Sequence, residues 1–325
     1  MRVAGIDCGT NSIRLLIADV PGRDGALDDV VRLMNVVRLG QGVDRTGQFA
    51  PDALARTLAM TEEYAALCKL HGVESIRFAA TSATRDASNR DEFLQGVRDL
   101  LGVPVQVLTG DEEASTSFAG ASSVMAKDGP SPIIAVDLGG GSTELVLGDI
   151  DSGVISEFSM NVGCVRMHER HLSSDPATPE QIAAARADVN AALDEAEEHI
   201  DFGSTEGLVG LAGTITTLTA RAIGLKEYDA ARIHGTSLTP ARVTENCEWF
   251  IHSRKAERDA LGFMHPGRSD VMSAGTLVWE EVVKRVAQRM SERGKSLDSV
   301  VTSEHDILDG MALWAASEPQ RPDWA

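Results

Sequence analysis

Two stretches of this chain align without a gap. Gly5-Ile6-Asp7-Cys8-Gly9-Thr10-Asn11-Ser12-Ile13-Arg14-Leu15-Leu16-Ile17-Ala18-Asp19 lies on Ala135-Val136-Asp137-Leu138-Gly139-Gly140-Gly141-Ser142-Thr143-Glu144-Leu145-Val146-Leu147-Gly148-Asp149. Asp7 falls on Asp137, Gly9 on Gly139, Ser12 on Ser142, and Arg14 on Glu144. Each copy reads as an apolar strand ending in Asp, a turn of small residues and a second apolar strand, which is the pattern of a β-hairpin. Glycine has no side chain to block approach, so the turn N–H groups stay open. A row of such groups is an anion site, and phosphate is the expected anion. The Asp at the strand end can hold a divalent cation. A chain with two such hairpins is expected to fold as two domains whose hairpins close on one phosphate chain.

Other phosphate and nucleophile motifs fit less well. The chain contains no G-x-x-x-x-G-K-[ST], so it is not a P-loop protein. Gly139 and Gly141 begin a dinucleotide fingerprint, but Glu144 stands where its third Gly belongs, and the residues after it have strand periodicity. A nucleophilic serine is disfavoured because Gly139-Gly140-Gly141-Ser142-Thr143 lacks the second Gly of a G-x-S-x-G elbow.

Length and composition agree with this reading. The 325 residues suit two domains. No apolar run is long enough to span a bilayer, and the N-terminus enters a strand without a signal peptide, so a cytoplasmic protein is expected. The cysteines at 8, 68, 164 and 247 have no C-x-x-C spacing and suit packing roles in a reducing compartment. A formal net charge of -19 argues against nucleic-acid or membrane partners. A polyanionic substrate therefore needs local positive charge, for which Arg14, Arg38, Arg85, Arg90, Arg166, His168, Arg170 and Arg268 are the candidates.

Along the chain, strands are expected at 30–39, 75–80, 103–108, 155–161, 207–211 and 297–302 besides the hairpins. A helix is bounded by Pro51 and Gly72, as the N-terminal Pro and C-terminal Gly asymmetry predicts. Others follow at 91–101, from Thr109 to about Met125, from Pro179 to Ile200, at 240–253 and 255–261, up to Arg293, and at 307–316. Lys127-Asp128-Gly129-Pro130-Ser131-Pro132 is rich in breakers and marks the domain boundary. The domains are accordingly 1–126 and 127–304, with a C-terminal helix near 305–317.

The paired D-x-G-[TG]-x-S hairpins resemble the phosphate-1 and phosphate-2 motifs of the actin-like, sugar-kinase and Hsp70 superfamily. Asp7–Ser12, Ala80-Thr81-Ser82-Ala83-Thr84-Arg85, Gly110-Asp111-Glu112-Glu113-Ala114 and Asp137–Glu144 together resemble the exopolyphosphatase/guanosine pentaphosphate phosphohydrolase family, from Arg2 to about Trp314. The resemblance implies an α/β fold of two actin-like (ribonuclease-H-like) domains with an active-site cleft between them.

It also implies roles. From position alone, acids in the first turn of a helix complement its dipole. The resemblance instead makes Glu113, the second Glu of its motif, the base that activates water. Arg85 would reach the terminal phosphate. Gly9, Thr10, Asn11, Ser12, Arg14, Gly139, Gly140, Gly141, Ser142 and Thr143 would bind phosphate, as would the Gly213-Thr214 turn. Asp137 and Glu144, with help from Asp7, would hold Mg²⁺ or Mn²⁺. The implied substrates are inorganic polyphosphate, especially short chains because the extra C-terminal domains of longer family members are absent, and guanosine pentaphosphate. A homodimer is also implied. A phosphate or nucleotide sensor without turnover and an ATP-dependent sugar kinase are the alternatives, the kinase being weakened by a base suited to water.

Overall fold

The computed structural model describes residues 1–20, 27–121, 129–149 and 151–324. The chain divides into two compact units, one of Met1–Gly120 with Ile307–Ala325 and one of Ala121–Asp306. The domain boundary expected at 126/127, and the end of the helix expected near Met125, lie outside the described residues.

The first unit begins with β1 (Arg2–Cys8), β2 (Ser12–Asp19) and β3 (Asp28–Val36). It continues with α1 (Val43–Thr46), α2 (Pro51–Leu70), β4 (Ser75–Ala80), α3 (Ser82–Asp86), α4 (Arg90–Leu101), β5 (Val105–Val107) and α5 (Gly110–Ala121). Its sheet has the order β3-β2-β1-β4-β5. The β1–β2 and β2–β3 pairs are antiparallel, and β1–β4 and β4–β5 are parallel.

The second unit starts with β6 (Ile133–Leu138), β7 (Thr143–Asp149), β8 (Gly153–Met160), α6 (Cys164–Arg170), α7 (Pro179–Ala196), β9 (Gly207–Leu211) and α8 (Ala212–Ala222). It ends with α9 (Ala230–Ile233), β10 (Ser237–Leu238), α10 (Pro240–His252), α11 (Lys255–Asp259), α12 (Met272–Glu292) and β11 (Val300–Thr302). Its sheet order, β8-β7-β6-β9-β11-β10, repeats the first with β10 added at one edge. The directions repeat as well: antiparallel for β6–β7 and β7–β8, parallel for β6–β9 and β9–β11. Each unit is thus an actin-like α/β domain built on one of the two matched hairpins.

Local chemistry explains most element ends. Pro51 opens α2 and Gly72 follows its end in a left-handed conformation. Thr178 and Gln181 form a reciprocal capping box on α7, with Pro179 in its first turn. The strand expected at 103–108 is shorter because Pro104 has no N–H to give to a ladder. The strand expected at 30–39 leaves the sheet at Val37, whose N–H turns to the carbonyl of Asn11 at 3.0 Å. The stretch after β4 is the short helix α3.

Strands at the centre of each sheet are covered on both faces, so β1 and β6 are buried almost throughout. Ile6, Leu15, Tyr64, Phe78 and Phe93 form the main core of the first unit, and Val136, Leu145, Leu208, Leu277 and Trp279 lie in that of the second. The last helix, α13 (Ile307–Ser317), belongs to the first unit. Leu308, Ala312 and Ala315 pack with Val3, Leu16 and Ala18, while Ile307 and Met311 pack with Ala79 and Leu108.

Met311 is fully buried and Leu313 on the same helix is 41% exposed. Met311→Ala should destabilise the protein by roughly 2–5 kcal/mol. Leu313→Ala should stay within about 0.5 kcal/mol of the parent. Calorimetric melts of both variants check this, and equal shifts would remove α13 from the core of the first unit.

Candidate phosphate-binding and catalytic site

The two hairpin turns are closed in the same way. Gly9 N–H donates to the Ser12 carbonyl at 3.0 Å, and Gly139 N–H to the Ser142 carbonyl at 3.0 Å. Each turn is then braced by the chain that follows the third strand of its sheet. In the first unit, Val37 and Arg38 N–H donate to the Asn11 carbonyl at 3.0 and 2.8 Å, and Gly40 N–H to the Thr10 carbonyl at 2.9 Å. Arg38 adopts a left-handed backbone with φ 53° to bring these donors together. In the second unit, Cys164 N–H donates to the Gly139 carbonyl at 3.0 Å, and Val165 and Arg166 N–H to the Gly140 carbonyl at 2.8 and 3.0 Å.

A trans peptide places its C=O and N–H on opposite sides. With the carbonyls of Thr10, Gly139 and Gly140 docked on the brace, the N–H groups of Asn11, Gly140 and Gly141 face away from it. Among the described residues these three N–H groups donate to nothing in the chain. They are the open donors that the turn sequence predicts.

The brace requires close approach, a requirement that sequence reasoning missed. A Cβ on Gly163 would lie 2.6 Å from the Gly140 carbonyl and 2.7 Å from the Gly141 nitrogen, and one on Gly40 would overlap the Thr10 side chain. The glycines of Leu39-Gly40-Gln41-Gly42 and Val162-Gly163-Cys164 were the available signal.

The aspartates at the strand ends differ in their surroundings. Asp7 lies opposite Arg14 across β1–β2, and its Oδ2 accepts from Arg14 Nε at 2.9 Å and Nη2 at 2.7 Å. Asp137 lies opposite Glu144 across β6–β7, and these acids are only 7% and 1% exposed. Their oxygen donors suit Mg²⁺ or Mn²⁺. Among the described residues no group of three or more His, Cys, Asp or Glu gathers as a metal cage. Two carboxylates fit a cation that completes its shell with water and phosphate oxygens. Thr143 is fully buried and its hydroxyl donates to the Val162 carbonyl at 2.6 Å, while Ser142 is 2% exposed.

Glu112 and Glu113 separate clearly. Glu112 Oε2 accepts from Thr109 N–H at 2.9 Å, and Thr109 Oγ1 accepts from Glu112 N–H at 3.2 Å. This is a capping box that starts α5, and the T-x-x-E spacing Thr109-Gly110-Asp111-Glu112 announces it. Glu113 is buried, and its Oε2 accepts from Arg85 Nη1 at 2.7 Å. The same nitrogen donates to the Leu108 carbonyl at 2.8 Å. Arg85, expected at the phosphate, therefore also fixes the carboxylate expected as the base.

At the Gly213-Thr214 turn, Ala212, the first residue of α8, adopts φ 67°. A left-handed residue followed by a helical one is the backbone of an anion-binding nest. The Arg268 guanidinium lies directly against Gly213, where a Cβ would overlap it. The thiols supply no nucleophile. All four are buried, and burial pushes Cys68 up to about 12 and Cys164 up to about 11.

A family model described as the Ppx/GppA phosphatase family matches residues 17–313. The chain belongs to this family. Among Ppx/GppA relatives, Exopolyphosphatase 2 of Mycobacterium tuberculosis is 46% identical over 319 residues, which cover 96% of this chain and 98% of that protein. The crystal structure of an exopolyphosphatase-like protein matches with 46% identity and a TM-score of 0.92, covering 96% of this chain and 98% of the other. The Ppx/GppA member from Aquifex aeolicus matches with 28% identity and a TM-score of 0.79, covering 98% of each chain.

Gly163→Ala tests the brace behind the second turn. The added methyl forces the Gly140–Gly141 peptide to move, so phosphate release should fall about 10²-fold, the scale of a small misplacement of reacting groups. The cost in stability should be about 1–3 kcal/mol. An alanine variant with the parent's turnover would show that the turn position does not matter.

Proposed function

We propose that this chain is an exopolyphosphatase that hydrolyses the terminal phosphate of inorganic polyphosphate. The observation that carries the reading is Glu113, a buried carboxylate held by Arg85 on a helix whose start is fixed by its neighbour Glu112. The names of the 46% identical relatives support the substrate class.

In the first unit the open N–H group of Asn11, with Gly9, Thr10 and Ser12, is assigned to phosphate oxygens. In the second unit the open N–H groups of Gly140 and Gly141, with Gly139, Ser142 and the Gly213-Thr214 turn, are assigned likewise. Asp7 fixes Arg14, which is assigned to phosphate oxygens. Asp137 and Glu144 hold Mg²⁺ or Mn²⁺, which when bound neutralises charge on the transferring phosphoryl group. Glu113 orients a water and takes its proton as the oxygen attacks phosphorus in line with the departing phosphate. Arg85 keeps the Glu113 carboxylate in position and is assigned to the terminal phosphate.

The test is phosphate release from polyphosphate, with and without chelator, in two variants. Glu113→Gln keeps the shape but cannot accept a proton, so kcat should fall by about 10²–10⁴-fold while the protein stays folded and binds polyphosphate. Glu112→Gln keeps the capping box, which accepts Gln as well as Glu, and should be much milder. Turnover in Glu113→Gln near that of the parent, or full activity in EDTA, would overturn the mechanism.

Short polyphosphates are proposed as the better substrates, because a net charge of -19 repels long polyanions. The expected result is a higher kcat/KM on short chains than on chains of hundreds of units, and than on guanosine pentaphosphate. A steady rise of kcat/KM with chain length would refute this preference.

A further inference from the structure

The row that carries the two acids of the second unit continues onto a third strand. Asp137 on β6 lies opposite Glu144 on β7, and Glu144 lies opposite Ser159 on β8. Directly opposed residues of antiparallel strands share one face of the sheet. Ser159 Oγ donates to Glu144 Oε1 at 2.8 Å.

A glutamate has three side-chain torsions, and all must be fixed before its carboxylate can serve a small cation with strict geometry. A hydrogen bond to one oxygen fixes the plane of the carboxylate and thereby the direction of the other oxygen. The matched row of the first unit reads Asp7, Arg14, Met34. There an arginine neutralises the aspartate, and the third position has no hydroxyl. The second acid and the serine behind it thus occur together in one unit and are both missing from the matched row of the other.

We propose that Ser159 is a positioning residue for the divalent cation. Its hydroxyl holds Glu144 so that, with Asp137, it presents oxygen to Mg²⁺ or Mn²⁺. Ser159 touches neither cation nor substrate and acts through Glu144 alone. Outer partners of this kind typically change metal affinity by about 10–100-fold. The inference rests on the assignment of the cation to Asp137 and Glu144 made above.

The experiment is a Mn²⁺ titration of the whole protein in inorganic phosphate, followed by electron paramagnetic resonance of the free ion, with a melting curve for each variant. The variants are Ser159→Ala, Ser159→Thr and Asp137→Asn. The parent should bind Mn²⁺ and Asp137→Asn should lose the site. Ser159→Ala should bind about 10–100-fold more weakly, and Ser159→Thr, which keeps a hydroxyl, should bind close to the parent. The Mg²⁺ concentration needed for half-maximal phosphate release should rise in Ser159→Ala by the same factor, with kcat at saturating Mg²⁺ little changed. A hydroxyl that only satisfied a buried acid would lower the melting temperature and leave Mn²⁺ affinity unchanged, and that result overturns the proposal. Unaltered Mn²⁺ binding in Asp137→Asn, or none in the parent, would instead overturn the cation assignment and the role of Ser159 with it.

Discussion

Everything in the candidate site depends on how the two turns direct their peptide groups. A short loop of small residues has many conformations, and most would scatter its N–H groups. Here the carbonyls are drawn onto backbone donors from the segment after the third strand: Val37, Arg38 and Gly40 in one unit, and Cys164, Val165 and Arg166 in the other. Since C=O and N–H of one peptide are opposed, bracing the carbonyls fixes the donors as well. The open N–H groups are therefore held by backbone hydrogen bonds rather than by side chains, which the chain could vary more freely. The close approach leaves no room for a Cβ at Gly40 or Gly163.

The hairpins were legible in the sequence because their signal is local. Apolar strands, a strand-end Asp and a glycine turn all lie within fifteen residues, and the repeat at 135–149 doubled the signal. The pairing of Asp7 with Arg14 was half visible, since the alignment already sets Arg14 on Glu144. What could not be read was contact between distant segments. The glycine at 163 signals a close approach but not its partner, Gly140, twenty-three positions earlier. Arg85 and Glu113 were each legible as motif residues, but their hydrogen bond depends on how α3 and α5 meet around the carbonyl of Leu108. Glu112 shows the reverse case. Its T-x-x-E spacing is a local capping signal, and the structure separates it from its neighbour as that signal suggests. Strand ends were misjudged where an apolar run outlasts its ladder, as at Val37, whose N–H turns from the sheet to a turn carbonyl.

The matched rows also show how an acidic protein can take a polyanion. Two arginines of the motifs are paired with acids: Arg14 is bound to Asp7 and Arg85 to Glu113. Each pair is close to neutral, so these side chains contribute direction and hydrogen bonds more than net potential. In the proposed mechanism, backbone dipoles in the braced turns and a cation add to what these side chains offer the phosphate. The acid pair that the proposal assigns to a cation lies in the second unit, where Glu144 replaces the arginine of the first. One substitution between two copies of a hairpin thus separates their chemistry. With Arg14 the row is satisfied internally. With Glu144 it brings a second buried carboxylate beside the first, the pair to which the proposal assigns a divalent cation.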